Sequence, residues 1–163
     1  MDKRTRVLNA LNKQPVDHVP AGFWYHFAGE EAVGEGCVQA HLRYFRETDL
    51  DFIKVMCDGY FPYPITEKIE KASDWRKIQP IGKDHPFISE QVWRAKRVVE
   101  EAGKDCCVFY NVFAPFSSIR FGAGEELVMK HIKEDPLAVM HALDVIAQDN
   151  ADLAERLITE AGC

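Results

Sequence analysis

The chain has 163 residues, enough for one domain of ordinary size and too few for two well-built ones. It is 47% hydrophobic and 28% charged, a globular composition that excludes disorder along most of its length. A formal net charge of -6 disfavours nucleic acid, whose affinity comes largely from Lys and Arg on phosphates. No apolar run approaches the roughly 20 residues that span a bilayer. Residues 1–14 turn polar again too soon for a signal peptide, so a cytoplasmic protein is expected.

The elements read in chain order as follows. Residues 2–13 are expected to form a short amphipathic helix with Val7, Leu8 and Leu11 as its stripe, stopped by Pro15. After Pro20 the run AGFWYHF reads as a first strand. Gly29, Gly34 and Gly36 mark a loop, and residues 37–47 a helix with Val38, Leu42 and Phe45 on one face. DFIKVMCDG is a short, almost continuous apolar run of the kind buried on both faces of a parallel sheet. It ends at the turn signal Asp58-Gly59. YFPYPI is a loop. Residues 66–82 are polar and mixed, with Trp75 as their anchor and Ser73-Asp74 as a cap.

Residues 86–102 read as a helix with Val92, Ala95, Val98, Val99 and Ala102 at helical spacing, stopped by Gly103. CCVFYNVFAP reads as a third strand and FSSIRFGAG as a loop. Two helices follow, over residues 124–133 and from Asp135-Pro136 to a Gly162 cap. A helix followed by three strand–helix pairs points to parallel strands with crossover helices. The expected class is α/β, either a small open sheet or the first three to four units of a (β/α)₈ barrel. A last helix with no strand after it is read as the sign of a barrel cut at Cys163.

Five cysteines, Cys37, Cys57, Cys106, Cys107 and Cys163, without framework spacing read as buried free thiols. Cys37 and His41 stand i, i+4 on a predicted helix, but two ligands do not make a metal site. GEEAVGEG lacks the Lys and the strand context of a phosphate loop.

Three ordered segments carry a resemblance: the opening RTRVLNAL with VDHVP after it, LDFIKVMCDG, and VFAPFSSIRFGAG. Together they resemble the uroporphyrinogen decarboxylase family, which includes corrinoid-linked methyltransferases. The resemblance implies a (β/α)₈ barrel of about twice this length, of which this chain is the N-terminal part, expected to be inactive alone. It places the catalytic mouth at the strand ends, where His26, Asp58 and Arg120 fall. It implies catalytic roles for Asp58 and His26, and substrate contacts from Trp24, Tyr60, Tyr63, Phe116 and Arg120. In the family's decarboxylases the matching aspartate meets the pyrrole nitrogens, and arginines clamp the substrate carboxylates.

Two departures stand out. His26 and Glu30 occupy the places of arginines, and Phe121 stands where the decarboxylases usually have a tyrosine. The lost arginines favour a methyl-transferring relative acting on a corrinoid- or thiol-linked methyl group. The alternatives are uroporphyrinogen decarboxylase itself and a non-catalytic half-barrel that binds or assembles. The implied partners are a tetrapyrrole or methyl-corrinoid, a corrinoid protein and a second copy of the chain, since open sheet edges invite pairing. No cofactor is expected on this segment. The zinc of the methyltransferase relatives is expected on ligands in the family's second half.

Overall fold

The computed structural model describes residues 1–163. It contains six α-helices and two strands: α1 (Lys3–Leu11), α2 (Gly34–Thr48), β1 (Phe52–Val55), α3 (Pro86–Ala102), β2 (Cys107–Tyr110), α4 (Pro115–Ala123), α5 (Glu125–Glu134) and α6 (Pro136–Arg156). Single 3₁₀ turns cover Gly29–Ala32 and Ala72–Lys77, and a π-helical turn covers Leu157–Ala161. The strands pair in parallel, Phe52 opposite Cys107 and Val55 opposite Tyr110. The chain divides into two compact units. The first comprises residues 1–59, 90–111 and 156–163; the second comprises 60–89 and 112–155.

The expected partial (β/α)₈ barrel is therefore not the architecture: the chain is mostly helical, with two short strands in one sheet. The run AGFWYHF is extended without being a strand. Two of its backbone donors, at its two ends, are engaged elsewhere. Ala21 N–H goes to Asp51 Oδ2 and Phe27 N–H to Asp58 Oδ2, so carboxylates flanking β1 take donors that a ladder would have used. The expected loop FSSIRFGAG is largely α4, with Pro115 pre-set at its first turn and Ile119 fully buried on its inner face.

In the first unit Val38 and Leu42 of α2, Ile53 and Val55 of β1, Val98 and Ala102 of α3, and Val108 of β2 form one cluster. Each side chain of the Leu42 or Ile53 kind contributes about 1.5–3 kcal/mol by leaving water. Asp2 caps α1 by accepting from Thr5 N–H at 2.8 Å. The second unit has its own core of Tyr63, Trp75, Ile78, Ile119, Val128, Val139 and Ile146. Trp75 is fully buried there, the anchor its sequence context suggests. Asp74 closes the turn that carries it by accepting from Glu70 N–H and Lys71 N–H. All five cysteines are free thiols, and four of them are buried. No helix is long and apolar enough to cross a membrane.

Candidate functional site

The first unit brings two of the sequence-predicted residues together at the C-terminal end of β1. Asp58 follows the strand through Met56 and Cys57 and is 2% exposed. Gly59 turns the chain at φ 82°, and a Cβ there would run into Val33, so only glycine lets the chain leave Asp58 in this direction. His26 Nδ1 lies 2.8 Å from Asp58 Oδ1, and Phe27 N–H donates to Asp58 Oδ2 at 3.0 Å. The carboxylate is thus bridged by consecutive residues of the extended segment. An ionised carboxylate only accepts, so the imidazole carries its proton on Nδ1. The ring is 57% exposed while the carboxylate is not, which places a titratable ring at the surface on a buried anchor.

A second histidine lies behind this pair. His41 Nε2 accepts from Met56 N–H at 3.1 Å, and Nδ1 donates to the Cys37 carbonyl at 2.8 Å. Both nitrogens are committed to backbone, which fixes the neutral Nδ1–H tautomer. Burial holds its pKa below the ordinary value, with the Cys37 carbonyl pulling the other way. The Cys37 and Cys57 thiols are pushed up by burial. The Cys37–His41 pair belongs to the structure of α2, and no group of three His, Cys, Asp or Glu side chains is arranged to hold a metal ion.

Sequence reasoning missed Arg94, Tyr110 and Gln91. Arg94 is fully buried on α3. Its Nε donates to Tyr110 Oη at 2.8 Å, its Nη2 donates to the same oxygen, and its Nη1 reaches the carbonyls of Ala32 and Asp58 at 3.0 and 2.9 Å. Tyr110 in turn donates to Gln91 Oε1 at 3.1 Å. Burial raises the Tyr110 pKa against the pull of Arg94, so the phenol stays protonated. The available signal is positional. Gln91 and Arg94 fall i, i+3 on the same stripe as Ala95 and Val98, where a charged side chain faces inward.

The remaining predicted contacts disperse. Trp24 lies in the first unit, 53% exposed, with Lys54 Nζ 4.2 Å from its ring centre. The other four lie in the second unit. Tyr60 packs edge-on against Phe87. Tyr63 is buried and donates to Asp149 Oδ2 at 2.5 Å. Phe116 is partly exposed in the first turn of α4, and Arg120 pairs with Glu125 at 3.1 Å and stacks on Phe121. Tyr63 also borders a groove of about 540 Å³ with Pro62, Ile65, Ile69 and Leu127, in which Glu67 supplies the one carboxylate. A larger cavity of about 710 Å³ in the first unit includes Lys3, Arg6, Asp49 and Asp51. Those charges already pair with one another, Lys3 with Asp49 and Arg6 with Asp51, so that cavity is a structural seam.

What this arrangement can do chemically is limited and definite. An exposed imidazole with a fixed tautomer can take up or give a proton at its outer edge, and a buried carboxylate stabilises the imidazolium that results. Comparison with protein-family models, with curated proteins and with solved structures returns no match.

Proposed function

We propose that the chain carries a methyl-transferring site of the uroporphyrinogen decarboxylase-like kind, with His26 as its proton-transfer group and Asp58 as the carboxylate that orients it. The observation that carries this reading is the commitment of Asp58: one oxygen holds His26 Nδ1 and the other Phe27 N–H. A decarboxylase of that family uses the matching carboxylate to accept pyrrole N–H groups, and here those acceptor sites face the chain's own donors. The missing arginines point the same way. Glu30 and Glu31 stand in the turn after His26, where they would repel a polyanionic tetrapyrrole.

The chemistry matches the task. When a methyl group passes from an oxygen, nitrogen or sulfur atom to a corrinoid, the donor atom keeps the electron pair of the broken bond and takes a proton, which His26 as imidazolium supplies. In the opposite direction His26 removes a thiol proton as the sulfur accepts the methyl group. Such proton transfer is worth about 10²–10⁴-fold in rate.

The test is incubation with methylcobalamin and a small thiol, followed by cobalamin absorbance and thioether formation. Demethylation that falls about 10²-fold in His26→Ala supports the reading. A protein that removes carboxyl groups from uroporphyrinogen, or whose demethylation is unchanged in His26→Ala, overturns it.

A further inference from the structure

Arg94 is the most heavily engaged side chain of the first unit, and stability does not call for it. A fully buried guanidinium gives up its hydration, and an apolar side chain of similar volume at such a place is often as stable or more so. Its contacts show what it does instead. Nε and Nη2 both donate to Tyr110 Oη, which fixes the plane of the guanidinium, and the Tyr110 proton is turned away onto Gln91 Oε1. With the plane fixed, Nη1 donates to the Asp58 carbonyl at 2.9 Å and the Ala32 carbonyl at 3.0 Å, and lies 3.5 Å from Cys37 Sγ. One side chain of α3 thereby ties the end of β1 to the turn that follows the His26 segment.

The two carbonyls are the ones that matter for the dyad. Asp58 reaches His26 and Phe27 only if its backbone holds its place beside the 3₁₀ turn Gly29–Ala32, and Gly59 next to it is the most permissive residue of that stretch. Arg43 holds the turn from α2 through Glu31 at 2.8 Å, and the fork of Arg94 joins the turn to Asp58.

We propose that Arg94 is the positioning residue of the His26–Asp58 pair: held in plane by Tyr110, it locks the Asp58 and Ala32 carbonyls together and so sets the carboxylate under the imidazole. Lysine is a poor replacement, because its three donors leave from one nitrogen, whereas the planar fork meets the phenol oxygen and the two carbonyls from separate nitrogens. The inference rests on the dyad being the working group of the site, but its geometry is readable without any turnover.

The experiment uses the full chain labelled with ¹⁵N and reads the His26 ring nitrogens, whose shifts report the ratio of Nδ1–H to Nε2–H tautomers. Asp58→Asn sets the value with the orienting carboxylate gone. Arg94→Lys is expected to move the ratio toward that value by about fivefold, the worth of one ordinary hydrogen bond, with backbone amides of α2 unmoved. Tyr110→Phe keeps the ring and removes the phenol that fixes the guanidinium plane; it moves the ratio the same way by a smaller factor. A wild-type ratio in a folded Arg94→Lys overturns the proposal. If that variant does not fold, a wild-type ratio in Tyr110→Phe does so. A ratio that moves in a protein whose demethylation is unchanged in His26→Ala leaves the positioning role standing and removes the proposed function. A demethylating protein whose ratio does not move removes the positioning role alone.

Discussion

His26 Nδ1 and Asp58 Oδ1 are 2.8 Å apart across 32 residues of sequence, the ring outside and the carboxylate inside. Replacing Asp58 by Asn keeps the shape and halves the acceptor capacity. The amide nitrogen so introduced must face either Phe27 N–H, which cannot accept, or His26 Nδ1, which accepts only if the ring moves its proton to Nε2, and the second amide N–H is then left over. We expect Asp58→Asn to lose about 1–3 kcal/mol in chemical denaturation, the cost of one buried donor left without a partner. Methyl transfer should fall in both Asp58→Asn and His26→Ala, and the His26 variant should keep nearly wild-type stability because its ring is exposed. A His26→Ala protein that loses stability as Asp58→Asn does would mean the pair is a structural tie.

The structure separates what patterning reveals from what only packing decides. The apolar runs around β1 and β2 are plain in the sequence, and α3 ends where Gly103 follows it. Asp58 and His26 are legible because both stand at the ends of apolar runs, where a short turn brings side chains to one edge. The first run forms no strand, and the donors at its two ends, Ala21 and Phe27, go to Asp51 and Asp58, a competition that periodicity does not register. The segment after β2 reads as a loop from its serines and glycines, yet Pro115 and the inward Ile119 make it helical. Arg94 escapes notice because a charged residue on a helix is by default solvated; its role depends on Tyr110 and two carbonyls that come from other elements.

Acid stability of the first unit should depend on Arg6. Its Nε and Nη2 donate to the two oxygens of Asp17 at 2.6 and 2.9 Å, and Nη1 donates to Asp51 at 2.6 Å. The Arg6 bond holds the Asp17 carboxyl well below the ordinary range. For Asp51, burial pushes upward, but the Ala21 N–H and Arg6 outweigh it and the net shift is downward. Carboxyls depressed in the folded state stabilise it above the unfolded pKa of about 4, and that stability is lost as the pH falls through the depressed values. Circular dichroism against pH should therefore show unfolding on the acid side, and Asp17→Asn should flatten the slope there. An unchanged slope would assign acid unfolding to other carboxylates.

The second unit should be sensitive at the other end of the scale. Burial first, and then the Asp149 carboxylate beside it, raises the Tyr63 phenol above its ordinary value. Asp149 also takes Ile81 N–H and Gly82 N–H, so the phenol completes its set of donors. A group whose pKa is raised by folding stabilises the protein below its unfolded pKa of about 10, and that stability is lost as the pH rises through the folded value. Denaturation midpoints should fall above about pH 10, and Tyr63→Phe should lessen that fall, the remainder belonging to buried Tyr110. At neutral pH the same variant should cost about 1.5–3 kcal/mol, the range of a hydrogen bond to a charged acceptor. Tyrosinate absorbance should show two tyrosines, Tyr63 and Tyr110, titrating after the others, and Tyr63→Phe should leave one. If all titrate together, Tyr63 does not hold its proton for Asp149.

Trp75 and His131 offer a cycle that isolates one buried polar contact. Both are fully buried, and the indole N–H donates to His131 Nδ1 at 3.0 Å. That bond fixes the proton of the neutral ring on Nε2, which finds no partner within the protein. Trp75→Phe leaves Nδ1 without its donor and shrinks a fully packed side chain; we expect a loss of about 2–4 kcal/mol. His131→Leu removes the orphaned N–H, a gain, but strands the indole N–H, a cost of about 1–3 kcal/mol. The double variant strands neither group, so its loss should be smaller than the sum of the single losses by about 0.5–3 kcal/mol. Strict additivity would show that the two rings share a cavity without sharing a hydrogen bond.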